Sequence, residues 1–262
     1  MVKSRKMIRK IISDFYMVLI LIFLYAPILT MMVLSFNQSK SRARWGGFTL
    51  DWYLQMFDSR SIMSALSTTL IIAFVSALRH VIGTAAAIAI QSMRLVPRTI
   101  IMGITNIPML NADIVTGISL MLSFIAFGVS LGFKTVLIAH ITFNIPYVIL
   151  SVMPKLKQTD KSTYEAALDL GATPLQAFFK VVFPDILPGV LSGFLLSFTM
   201  SLDDFIITHF TKGAGINTLS TLIYSEVRRG IKPSMYALST VIFLTVLILL
   251  LIVNFRSFKK KD

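Results

Sequence analysis

Residues 162–189 read STYEAALDLGATPLQAFFKVVFPDILPG. This stretch predicts two short capped helices of the kind found in soluble domains. Ser162 and Glu165 have the S-x-x-E spacing of a capping box, in which the hydroxyl accepts from an orphan helix N–H and the carboxylate reaches back to the cap. Gly171 follows the run EAALDL at the place where a left-handed residue ends a helix. Thr173 opens a second helix, with Pro174 at its first position and Gln176 at its third, another capping box. That helix presents Leu175, Phe178, Phe179 and Val182, and Pro184 is expected to end it. The two helices meet at a Gly-Ala-Thr-Pro corner. Yet the flanks of this piece are apolar runs long enough to cross a bilayer.

Composition explains the flanks. The chain has 262 residues, of which 55% are hydrophobic and only 14% charged, against roughly 25% charged in a soluble domain. Apolar segments of about twenty residues or more recur, each enough to cross a ~30 Å hydrocarbon core. They fall near 14–36, 66–92, 99–127, 133–153, 188–211 and 236–255, six predicted transmembrane helices in one all-α domain, 1–262. The first is too long for a signal-peptide core and is followed by no small-residue cleavage site, so it is read as an uncleaved span. There are no cysteines and hence no disulfide framework or cysteine-ligated zinc.

The net charge of +13 belongs to topology rather than to nucleic acid. With both termini on one side, that side receives fifteen of the 25 Lys and Arg residues and the other nine, with Arg79 inside a span. The richer side is cytoplasmic. The helical corner, within the loop 154–187, therefore faces the cytoplasm, as do both termini. The outer loop 37–65 carries WGGFTLDWYLQMF, whose aromatics predict a segment lying in the membrane interface.

A loop that packs only under its own bundle has no need of an apolar face. Phe178, Phe179 and Val182 at helical spacing point instead to a groove in a partner. The stretch resembles the EAA loop of ABC-importer permeases: Glu165-Ala166-Ala167, three residues, Gly171, nine residues, then an apolar-x-apolar-Pro run that here is Val181, Phe183 and Pro184 in place of the usual Ile, Leu and Pro. The segments LYAPILTMMVLSFNQSK, GFTLDWY, NADIVTGISLML, HITFNIPYVI, SFTMSLDDFIITHF and LIYSEVRRGIKP extend the likeness, from about Tyr25 to Ala237, to the C-type permease subunits of spermidine/putrescine importers. The resemblance implies the type I ABC importer fold in a bacterial cytoplasmic membrane. It implies a coupling-helix pair (Glu165, Ala166, Ala167, Gly171, Phe178 and Phe179) docked on a cytoplasmic ATPase. It also implies a sister permease subunit, two ATPase copies, an extracytoplasmic binding protein and a polyamine substrate. Glu165 keeps two readings, a capping residue and a partner for a basic side chain of the ATPase.

Three carboxylates fall inside predicted spans: Asp113, Asp203 and Asp204. A carboxylate there is costly unless it is paired or lines a wet cavity, and fixed carboxylates suit a polycationic substrate. Asp113 shares a helix face with Asn106, Thr116 and Gly117, and Pro108 is expected to kink the helix just before it. It points either to a pathway or to an internal ion pair with Arg79 at similar depth. Asp203 and Asp204 lie about 100° apart around a helix, and periodicity places Asp204 on a seam with Ser197, Ser201, Thr208 and Thr211. His140 and His80 are read as hydrogen bonded between helices, and Phe143 and Tyr147 as packed between them. Glu226, in YSEVRRG, is left between a partner contact and a helix cap.

No G-x-x-x-x-G-K-[ST] occurs, so the chain is predicted to bind no cofactor of its own, with ATP–Mg held on the partner ATPase. The leading reading is a non-catalytic transport subunit. An importer permease for another solute (opine, thiamine, iron or sulfate) keeps the same architecture, although three membrane carboxylates disfavour anions. An intramembrane aspartyl hydrolase using Asp113 with Asp203 or Asp204 gives no reason for a docking loop.

Overall fold

The computed structural model describes residues 2–258. They form thirteen α-helices with a single isolated bridge, Asn37 to Phe48, outside them. Four helical stretches are long and apolar enough to span a membrane: Ser13–Leu34, Arg60–Ser92, Phe133–Gln158 and Pro174–Asp203. The bent pair Leu95–Leu110 and Asp113–Ala126 makes a fifth if it is one span, and a shorter apolar helix covers Pro233–Ile248. The basic tail Lys259 to Lys261 lies outside the described residues.

The chain divides into two compact units. One contains the residues up to Met63 and those from Ser225 onward. It holds α1 (Val2–Leu34), α2 (Asp51–Asp58) and α13 (Pro233–Phe258), with α13 packed on α1 and α2. The loop before α2 winds around the buried Asn37. Its amide Oδ1 accepts from the Ser39 and Gly46 N–H groups, its Nδ2 donates to the Arg44 carbonyl at 2.9 Å, and its own carbonyl accepts from Trp52 Nε1 at 2.7 Å. Trp52 and Met56 are buried. Trp52 turns inward, where its indole N–H has a carbonyl to meet, while Trp45, Phe48 and Phe57 stay exposed.

The second unit, Ser64–Tyr224, is organised around α7 (Phe133–Gln158), which packs against α4 (His80–Ser92), α10 (Phe183–Asp203), α11 (Ile206–Thr211) and α5 (Leu95–Leu110). One core joins Ala87 and Ile90 of α4, Val148, Ile149, Val152, Met153 and Leu156 of α7, and Ile186 and Val190 of α10. In lipid the drive to associate is close packing rather than expulsion of water, so small residues mark the contacts. A Cβ at Gly83 would stand 2.7 Å from Val148 Cβ, and one at Gly193 would stand 3.3 Å from Val148 Cγ1. Gly83→Ala must push α4 off α7 and is expected to cost about 1–3 kcal/mol. In detergent its thermal midpoint should fall clearly below that of Gly103→Ala, whose Cβ would meet nothing within 4 Å. Equal midpoints would refute this packing.

Three predicted spans are interrupted, of which the 99–127 span is bent by more than 40°. The 66–92 span is α3 (Arg60–Leu78) followed by α4, with Arg79 at the joint. The 99–127 span is α5 followed by α6 (Asp113–Ala126), turned through 104°. The bend lies not at Pro108, as expected, but at Asn111 and Ala112. Both have extended backbones (ψ 150° and 136°), and two such residues in succession redirect a chain far more than one missing hydrogen bond. The fifth predicted span, 188–211, stops at Asp203, and α11 restarts it at Ile206.

Candidate functional site

The helical corner is built by the residues that announced it, with one exchange. Helix α8 (Lys161–Asp169) is capped by Asp160, whose carboxylate accepts from the Ser162 N–H at 2.9 Å. That bond holds the Asp160 carboxyl below the usual carboxylate range. The expected Ser162–Glu165 box is therefore not formed, because Asp160 already satisfies the first turn. Glu165, one turn further on, is exposed. Gly171 has φ +86°. The Ala172 N–H bonds the Ala167 carbonyl and the Gly171 N–H bonds that of Leu168, the paired closure of a Schellman turn.

The second box is present: the Thr173 hydroxyl accepts from the Gln176 N–H and the Gln176 side chain accepts from the Thr173 N–H. The helix it opens, α9 (Pro174–Ala177), does not end at Pro184. It widens into a π-helical stretch, Phe178–Val182, where the Phe183 N–H reaches back five residues to the Phe178 carbonyl, and continues as α10. The wider turn shifts the hydrogen-bond register just where Pro184 brings no N–H. Coupling corner and membrane span are thus one helix of 30 residues, Pro174–Asp203.

Leu170, Leu175 and Phe179 are exposed on the corner. Ala177 is buried, Val182 packs on the α4–α7–α10 core, and Phe178 is half-buried among Phe179 and Phe183. Ala166 is exposed and Ala167 half-buried. Beneath the corner lies an open cavity of about 440 Å³, lined among others by Gln91, Asp160, Tyr164, Glu165 and Phe178. The capping Asp160 and Gln91, far apart in sequence, could not have been placed there by spacing alone.

At the other end of α10 the two aspartates part. The Asp204 side chain is only 10% exposed. It accepts from the Ile207 N–H at 3.1 Å and from the Thr208 N–H and hydroxyl at 2.8 Å, and His140 Nε2 lies 3.4 Å away. Asp204 therefore caps α11 and ties it to α7. Its seam is internal: Ser197, Ser201, Thr208 and Thr211 are buried, and Ser201 bonds both Ser76 and Asn144. Asp203, on the opposite side of the helix end, is exposed.

Asp113 is also exposed and begins α6 directly after the 104° bend. Thr116 and Gly117 follow it on α6, and Gly117 packs on Ile206, Ile207 and Phe210 of α11. Asn106 is on the other limb. Of the two readings of Asp113, the pair with Arg79 is not formed: no ion pair joins them, and Arg79 is exposed at the joint between α3 and α4. His140 is hydrogen bonded between helices as expected, its Nε2 2.9 Å from the Thr208 hydroxyl, whereas His80 Nδ1 meets the Ala77 carbonyl three residues back. Glu226 meets Lys232 at 3.3 Å.

Both exposed aspartates sit where an apolar helix is interrupted. Open backbone at membrane depth is tolerated only against protein or a watery cavity. The last carbonyls of α5 and of α10 also present the negative ends of helix dipoles at the breaks. Exposed carboxylates beside such helix ends are chemically suited to hold cations.

Residues 80–260 match the family described as binding-protein-dependent transport system inner membrane component. The chain is 38% identical over 228 residues to the putrescine transport system permease protein PotI of Escherichia coli K12, covering 84% of this chain and 81% of that one. It is 35% identical over 246 residues to the spermidine/putrescine transport system permease protein PotC of the same strain, covering 94% and 93%. Its fold is that of a chain in the crystal structure of a bacterial ABC transporter involved in import of the acidic polysaccharide alginate, with TM-score 0.76 at 17% identity over 98% of this chain and 96% of that one.

Proposed function

The chain belongs to the family of binding-protein-dependent transport system inner membrane components, and from that premise we propose that it is the C-type permease of an ATP-driven polyamine importer. It supplies half of the translocation path, and a sister permease supplies the other half. An extracytoplasmic binding protein delivers spermidine or putrescine. Two cytoplasmic ATPase copies carry ATP–Mg and close on the corner formed by Glu165 to Phe179. The chain itself catalyses no reaction. Both termini lie in the cytoplasm, following the excess of Lys and Arg on that side.

The mechanics follow from the continuous helix. At 1.5 Å per residue, the 30 residues from Pro174 to Asp203 reach about 45 Å. A tilt applied at Leu175 and Phe179 is therefore carried along one unbroken run of helix toward Asp203, through the π-helical turn at Phe178–Val182. Glu165, freed from capping, offers its carboxylate at the mouth of the 440 Å³ cavity to a basic side chain of the ATPase.

The observation that carries the substrate class is the pair of exposed carboxylates at helix breaks. Gly117, one turn past Asp113, packs on Ile206 and Ile207 of α11, so the two breaks are neighbours, and carboxylates at both suit a cation with more than one ammonium group. Asp113→Asn and Asp203→Asn are each expected to lower uptake of radiolabelled spermidine or putrescine about tenfold or more, ~1.4 kcal/mol or above, at unchanged protein level. Sulfate uptake serves as the control. Undiminished uptake in both variants would remove the aspartates from the path.

A further inference from the structure

Next to Asp203 three rings converge that the transport path as described so far does not use. The Phe205 ring centroid lies 4.4 Å from that of Tyr224 and 5.2 Å from that of His209, and His209 and Tyr224 are 6.2 Å apart. Apolar rings in a cluster normally mark a core. This one is not covered: Tyr224 is 42% exposed, His209 is exposed and Phe205 is half-buried.

The cluster is held rigidly. Capping by Asp204 fixes the first turn of α11, so Phe205 and His209, four residues apart, share a face. Helix α12 (Leu219–Arg229), which carries Tyr224, is held at its start by two bonds. The Ser220 hydroxyl donates to the Asp204 carbonyl at 2.6 Å, and the Leu219 N–H donates to the Thr69 hydroxyl at 2.8 Å. The rings are therefore in place before any ligand arrives. The charge around them favours a cation. Asp203 is exposed two residues before Phe205, and the α10 carbonyl end lies at the same break. Lys212, the following basic residue in sequence, is turned to Asn217 at 2.6 Å.

We infer that Phe205, His209 and Tyr224 form, with Asp203, a binding site for the alkylammonium end of the transported cation as it enters the path. This rests on the polyamine reading and adds to it a named point of recognition. The ring faces supply cation–π attraction, and Asp203 supplies the counter-charge. A neutral solute of the same length gains nothing there.

The test uses cells whose polyamine uptake runs only through the complete importer. Tyr224→Leu and Phe205→Leu are each expected to raise the KM for spermidine about three- to tenfold with maximal rate within twofold, and Tyr224→Phe to restore the wild-type KM. An unmoved KM in both leucine variants would overturn the site, as would Tyr224→Phe behaving like Tyr224→Leu. A second measurement needs no variant: a photoreactive azido-spermidine applied to the wild-type importer should label the peptide spanning 203–224. Labelling elsewhere in this chain with that peptide clear would overturn the site while leaving polyamine transport standing. Failure of the wild-type importer to take up any polyamine would instead sink the substrate reading and the site with it.

Discussion

Gly171→Val is expected to abolish ATP-driven uptake, by more than tenfold, while the chain still reaches the membrane in normal amount. The reason is local. Gly171 holds φ +86°, a left-handed backbone that costs an ordinary residue about 1–2 kcal/mol and a β-branched one more. A Cβ there would meet no atom within 4 Å, so the bundle is not disturbed. What changes is the angle between α8 and the long helix that starts at Pro174. Gly171→Asn, which tolerates the left-handed region, should keep most of the uptake. Loss in both variants alike would point to a role of Gly171 other than its backbone. Glu165→Lys, on the exposed side of α8, is expected to weaken co-purification of the ATPase with no change in thermal midpoint.

Asp204→Ala is expected to act on the opposite end of the same helix and in the opposite manner, through stability. Removing this carboxylate strands the Ile207 and Thr208 N–H groups and takes an acceptor from the Thr208 hydroxyl, which keeps its contact with His140. An orphaned buried donor costs about 1–3 kcal/mol, and such losses add less than linearly. The thermal midpoint in detergent should fall by roughly 10 °C, with Asp204→Asn intermediate because one acceptor remains. Asp203→Ala should leave the midpoint unchanged. Two adjacent aspartates thus separate into one that holds the fold and one that faces outward, and equal midpoints for the two alanine variants would contradict that division.

The helical corner was legible because its signals are local. A cap, a left-handed glycine and a proline at the first helical position act within one turn. The choice of cap was not. Asp160 and Ser162 are both good capping residues, and only the backbone decides which stands outside the helix. The breaks were hidden for a related reason. Averaged over 99–127 and 188–211 the residues are apolar, even with Asn111, Asp113, Asp203 and Asp204 at the breaks, so a hydropathy window is blind to a change of direction. Pro108 drew attention, yet two extended residues three positions later turn the chain. The face shared by Asp113 and Asn106 vanished with the continuous helix that defined it. Long-range pairings were illegible altogether: Ser76 with Ser201, or Asn144 with Ser201, lie 125 and 57 residues apart.

The central claim is that the corner below the bilayer is gripped by a separate ATPase. The chain has no cysteine, and the side chain of Leu170, the last residue of the α8 turn, is 90% exposed at the corner. Leu170→Cys therefore gives a single reporter thiol. In cells stripped of any outer membrane, a membrane-permeant maleimide is expected to label it, an impermeant one is not, and co-expression of the ATPase should shield it from the permeant reagent. Labelling by the impermeant maleimide would place the corner outside the cell and contradict the account.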